Sequence, residues 1–252
     1  MGKETSISWT DATFNPWMGC VKVSDGCKFC YAEAFTKSRM GKNLWGADAE
    51  RQVTKGPWKE VVKWNVEARR TGVRKRVFCA SLCDVFEDHP TANATREALW
   101  GLIRRCEMLD WQLLTKRPEN FARFLPDDWG DGYPHVWLGV SVEDMRVAHR
   151  VSILAQTPAH IRFISYEPAL GPLWEIPFLE FLKMDWVIYG GESGSNRRPE
   201  DKAWARTMRD RCKENGVAFF HKQSSAFKPG QGVELDGEII QEFPDTLLRA
   251  AK

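Results

Sequence analysis

Cys20, Cys27 and Cys30 are spaced Cys-x6-Cys-x2-Cys, the first closing Asn15-Pro-Trp-Met-Gly-Cys20 and the others framing Cys27-Lys-Phe-Cys30. Thiolates bind soft metals, and a Cys-x2-Cys pair lets two sulfurs reach one centre from a single turn. A closed zinc site wants four protein ligands. Three clustered cysteines with no fourth nearby suggest instead a centre with one open position. A 4Fe–4S cluster held by three thiolates has such an opening, because one iron is left for a substrate or cofactor. A structural zinc completed by Cys83 or a histidine is the alternative. The helix-like run Tyr31–Arg39 follows Cys30 at once, which would bring the positive end of a helix to the anionic sulfurs.

The other residues able to do chemistry follow short apolar runs. They are Cys83-Asp84, Lys116-Arg117, Ser141 with Glu143-Asp144, Glu167, Gly190-Gly191-Glu192 and His221-Lys222-Gln223. A guanidinium or ammonium at 116–117 or at Arg197-Arg198 can clamp a carboxylate or phosphate, and a solvated face is the plain alternative. Glycines at 190 and 191 permit close approach of backbone to a ligand, as they also permit a simple tight turn. Cys83 stands four positions after Cys79, so on a continuous strand the two would share a face, either as a reactive thiol near the rim or as a packed, inert pair. Of the five histidines, His221 is the one beside a strand end.

The elements that must position these groups alternate in type. Strand-like runs at 77–82, 111–115, 136–141, 161–165, 186–189 and 217–220 are separated by helix-like segments including 92–108, 145–155 and 202–215. Ser6–Asp11 reads as a first strand or its lead-in, delivering the cysteine loop. Such alternation predicts parallel strands with right-handed crossovers, hence an α/β fold: a parallel (β/α) barrel, full or partial, formed by residues 1–252 as one domain. In a parallel barrel the chemistry collects at the C-terminal ends of the strands, where these polar groups lie. A polar, basic excursion is expected at about 37–76, with one helix over Trp58–Arg69.

Charge is nearly balanced at +2, which demands neither nucleic acid nor a membrane as partner. No run approaches a membrane span, Met1–Thr5 lacks a signal peptide's apolar stretch, and seven cysteines with three clustered fit a reducing cytoplasm better than a disulfide scaffold. Cys106 and Cys212 read as small buried hydrophobes. The run Arg69-Arg-Thr-Gly-Val-Arg-Lys-Arg76 is the best candidate for phosphate contacts, with Trp58 and Trp64 as core residues or stacking platforms. The nucleophile-elbow and P-loop patterns are absent, which argues against ordinary hydrolases and NTPases.

The cysteine loop resembles the cluster loop of radical S-adenosylmethionine (SAM) enzymes, Cys-x3-Cys-x-aromatic-Cys, with Phe29 as the aromatic residue and a longer first gap. The whole chain more closely resembles a phage-associated three-cysteine-motif family of unknown function. The stretches that carry this are Asn15–Cys20, Leu114-Thr-Lys-Arg-Pro118, Gly139-Val-Ser-Val-Glu-Asp144, Tyr166-Glu-Pro-Ala-Leu-Gly-Pro172, Gly190-Gly-Glu-Ser-Gly194 and Phe219-Phe-His-Lys-Gln223. The resemblance implies a radical SAM enzyme that reductively cleaves SAM and abstracts hydrogen from a substrate. It implies Cys20, Cys27 and Cys30 as ligands of a 4Fe–4S cluster and SAM as cofactor. Asp84, Lys116, Arg117, Ser141, Glu143, Glu167, Gly190, Gly191 and Glu192 would contact SAM, and Cys83 and His221 would act on substrate. The substrate would be a nucleoside, DNA or tRNA, with a flavodoxin or ferredoxin as electron donor. The competing reading is a nucleic-acid-associated protein with a structural zinc or iron–sulfur site.

Overall fold

The computed structural model describes residues 5–246. The chain divides into two compact units, Met1–Trp137 and Leu138–Lys252.

In the first unit, β1 (Ala12–Phe14) leads through β2 (Trp17–Met18) into the cysteine loop, and α1 (Tyr31–Met40) follows. The expected first strand is therefore shifted: the lead-in occupies most of 6–11 and the strand itself begins at Ala12. β3 (Gln52–Val53) pairs antiparallel with β2, and α2 (Pro57–Thr71) completes the excursion. Pro57 at the first turn and left-handed Gly72 after the last explain the bounds of α2, since proline suits the start and glycine the exit. Its buried face is Val61, Trp64, Asn65 and Ala68. β4 (Lys75–Cys79), α3 (Pro90–Arg105), β5 (Leu109–Thr115) and the short α4 (Phe121–Phe124) follow. β1, β4 and β5 are parallel, with Phe14 opposite Cys79 and Cys79 opposite Leu113. Their C-terminal ends therefore open into residues 15–30, 80–89 and 116–120.

β6 (Val136–Ser141) begins at the junction. The second unit then holds α5 (His149–Gln156), β7 (Ile161–Tyr166), α6 (Phe178–Phe181), β8 (Trp186–Gly190), α7 (Lys202–Glu214), β9 (Ala218–Gln223) and the hairpin β10 (Glu234–Leu235) and β11 (Glu238–Ile239). β7, β8 and β9 are parallel. Asp201 caps α7 by accepting the Ala203 N–H at 2.8 Å. The strand order of the main sheet is β1-β4-β5-β6-β7-β8-β9, so the chain has the mixed α/β architecture expected from the alternation, with an order consistent with a partial (β/α) barrel. No helix among the described residues is long and apolar enough to cross a membrane.

Candidate metal centre and strand-end polar groups

In the first unit, hydrogen bonds stitch together the three loops that follow β1, β4 and β5. Asn15 is buried; its side chain donates to Ser81 Oγ at 3.0 Å and accepts the Leu82 N–H at 2.6 Å. The Gly19 N–H donates to the Leu82 carbonyl at 3.0 Å. Gly19 has a φ of +110°, and a Cβ there would stand 2.5 Å from the Leu44 carbonyl oxygen, so glycine alone fits this approach. Cys20, next in line, is half-buried.

Around Cys20 lies a set of buried charges. Arg117 Nη1 donates to Asp84 Oδ2 at 2.9 Å and to Cys20 Sγ at 3.5 Å, while Nη2 donates to the Val21 carbonyl at 2.5 Å. Asp84 also accepts from Thr115 Oγ1, the Lys116 N–H and the Phe86 N–H at 2.8–3.2 Å. Glu87 accepts the Val21 N–H at 2.9 Å and takes two bonds from Arg51, each 2.9 Å. Arg51 in turn donates to the carbonyls of Leu44, Gly46 and Ala49. Two cations and two carboxylates thus balance out of water, as buried charges must. Burial pushes the Cys20 thiol up to about 12; Arg117 opposes this, and Asp84 and Glu87 reinforce it.

Cys27 ends the 3₁₀ turn Asp25–Cys27, with its Sγ 3.9 Å from Ser24 Oγ. Cys30 holds the N-cap position of α1, so the expected helix does begin directly behind the third cysteine. Both are half-buried. Among the described residues, no group of three or more His, Cys, Asp or Glu side chains converges on the position of a single metal ion. Each thiolate of a 4Fe–4S cluster holds a different iron, so its sulfurs stand farther apart than those around one zinc. The Cys20 sulfur accepts an Arg117 N–H, and hydrogen bonds to sulfur are part of how a protein tunes such a cluster.

The other first-unit candidates have structural neighbours. β4 ends at Cys79, and the chain turns away at Ala80 (φ 75°), so Cys79 and Cys83 are not on one continuous strand and the shared-face expectation does not hold. The Cys83 thiol is raised by burial first, then by Cys79 and Cys20 nearby. In the basic run, Arg69 pairs with Glu107, Arg74 with Asp110, and Arg76 with Asp11, each at 2.8–2.9 Å. Trp64 is buried in the core, and Trp58 is half-buried with its ring edge-on to Phe14.

In the second unit, Glu143 is buried against Arg150, 3.0 Å from Nη1, and the same nitrogen donates to the Ser141 carbonyl at 2.8 Å. Glu167 pairs with Lys222. Glu192 takes the Arg198 N–H, Nε and Nη2 at 2.6–3.0 Å. A Cβ on Gly191 would stand 2.2 Å from the Ser225 nitrogen, so this glycine meets neighbouring backbone closely. Gly190 lies against the Glu167 side chain instead, where a Cβ would stand 2.9 Å from Cδ. His221 lies inside β9 and is fully buried, stacked on Tyr189, with Nδ1 3.1 Å from the Val233 carbonyl and Nε2 without a partner among the described residues. Burial holds its pKa below the usual histidine range.

The family model described as "Protein of unknown function (DUF5131)" matches residues 4–244. The chain belongs to that family. No curated protein and no solved structure matches it. The family description names no chemistry, so the residues must supply it. Arg51, Glu87 and Arg150 had no signature in spacing or composition: Glu87 and Arg51 are separated by 36 positions and acquire meaning only once folding buries them together.

Proposed function

We propose that this chain is an iron–sulfur protein of the radical SAM type, with Cys20, Cys27 and Cys30 as the cluster ligands. The observation that carries the reading is the placement of Cys20 where the loops after three parallel strands meet, with an arginine N–H on its sulfur. Ligand loops at the C-terminal ends of parallel strands are the arrangement of barrel enzymes. The seven-strand order supports the partial form of such a barrel.

When bound and reduced, the cluster and SAM together supply a 5′-deoxyadenosyl radical able to abstract hydrogen from an unreactive carbon. The chain's own residues do the rest. Cys20, Cys27 and Cys30 hold the iron as thiolates, which a bound cation favours against the burial of Cys20. Arg117 and Asp84 hold the loop. In the first unit, Lys116, half-buried beside them, is the candidate for an anionic ligand group. In the second unit, Glu167 with Lys222 and Glu192 with Arg198 are the candidates for a ligand carrying both signs of charge. The pairing of Arg69, Arg74 and Arg76 with acids gives the nucleic-acid-binding alternative less support.

The test is anaerobic preparation and reduction of the full chain with SAM added. Release of 5′-deoxyadenosine and methionine supports the reading. Iron-loaded protein that neither binds nor cleaves SAM leaves an iron–sulfur protein of another kind.

A further inference from the structure

Val21, the residue after Cys20, is gripped at both its N–H and its carbonyl. Arg117 takes the Val21 carbonyl. The Val21 N–H goes to Glu87 Oε1, an oxygen that also accepts Arg51 Nη2, and Arg51 Nε occupies the other oxygen. The side chains of Arg51 and Glu87 are 0% and 3% exposed, so this pair is not a surface contact softened by water. Arg51 also gathers the carbonyls of Leu44, Gly46 and Ala49, and the Gly46 N–H donates to the Cys20 carbonyl at 3.1 Å. The excursion therefore holds both ends of the Cys20–Val21 peptide, its carbonyl directly through Gly46 and its N–H through the Arg51–Glu87 pair.

We propose that Glu87 and Arg51 are positioning residues for Cys20, fixing the peptide that carries its sulfur. A bidentate guanidinium–carboxylate pair suits this, because it fixes direction as well as distance. With both carboxylate oxygens engaged by Arg51, Glu87 cannot rotate away from the Val21 N–H. Cys27 and Cys30 lie beyond this grip, on the 3₁₀ turn and at the start of α1. The grip is a property of the protein alone; its purpose, presenting Cys20 to iron, rests on the iron–sulfur reading above.

The full chain, stripped of metal and kept reduced, is treated with iodoacetamide, and alkylation is followed at each cysteine by mass spectrometry. Losing a charge-assisted bond should raise Cys20 labelling relative to Cys27 by about tenfold in Glu87→Ala and Arg51→Ala. Glu87→Gln keeps an oxygen for the Val21 N–H and should restore most of the wild-type ratio. If the alanine variants do not fold, Arg51→Lys, which keeps the charge but loses the two-pronged grip, decides with a smaller rise of about fivefold. A Cys20 to Cys27 ratio within about twofold of wild type in every folded variant would overturn the proposal. The second readout is the electron paramagnetic resonance spectrum of reduced, iron-loaded protein: shifted g values in Arg51→Lys support the positioning role, and an unchanged spectrum contradicts it. Wild-type protein that takes up no iron ends the iron–sulfur reading, while the alkylation ratio still decides the grip.

Discussion

The Arg117 guanidinium donates to the carbonyl of Val21 across 2.5 Å, joining the loop that follows β5 to the loop that follows β1 over 96 positions of chain. The same group bonds Asp84, and both side chains are under a tenth exposed. Arg117→Ala leaves the Asp84 carboxylate without its countercharge, a change expected to cost about 3–5 kcal/mol. Urea unfolding measures it, and a loss below about 1 kcal/mol would show that water screens the pair.

Gly19→Ala places a methyl group 2.5 Å from the Leu44 carbonyl at a φ of +110°. Strain and overlap together should cost about 3 kcal/mol or more. Gly41→Ala is the control, since that glycine is also left-handed (φ +63°) but has open space around it; about 1–2 kcal/mol is expected there. Equal losses at the two positions would mean that the loop around Leu44 yields.

The helices and strands were legible because their apolar spacing is local. The run at 136–141 matches β6, and those at 161–165 and 186–189 each fall one residue short of β7 and β8. The start of α1 behind Cys30 was legible for the same reason. What surrounds Cys20 was legible only in part: Asp84 and Arg117 stood out as strand-end residues, but their pairing beside Cys20 did not. The Glu87–Arg51 pair and the Arg117–Asp84 pair join residues 36 and 33 positions apart, and an acid in Asp84-Val-Phe-Glu87 looks like any loop acid until burial is known. The same limit applies to Cys79 and Cys83, whose common face depended on a strand that in fact ends at Cys79.

Asp11 and Arg76 give a pH signature. Burial of Asp11 raises its pKa, but the Arg76 side-chain and backbone hydrogen bonds and charge outweigh that and hold it below the usual carboxylate range. A depressed folded pKa stabilises the fold above the unfolded value of about 3.9, and that contribution is lost as pH falls through the folded value. Both side chains are partly exposed, so the effect should stay near or below about 1 kcal/mol. Asp11→Asn should lower stability at pH 7 and flatten its fall below pH 4, as read by thermal melts across that range. A variant with the wild-type acid slope would show that Asp11 does not contribute.

Cysteine substitutions separate ligands from packing. Cys20→Ser, Cys27→Ser and Cys30→Ser should each lose most iron and visible absorption. Cys106→Ala and Cys212→Ala should keep both, because those thiols are buried on other elements, away from the cysteine loop. A Cys20→Ser protein with a full, unaltered cluster would remove Cys20 from the ligand set.

Iron, zinc and acid-labile sulfide analysis of the anaerobically prepared full chain tests the centre most directly. About four irons and about four sulfides per chain, with visible absorption that bleaches under dithionite, are expected for a 4Fe–4S cluster on Cys20, Cys27 and Cys30. Stoichiometric zinc, with neither iron nor sulfide after anaerobic reconstitution, would contradict it.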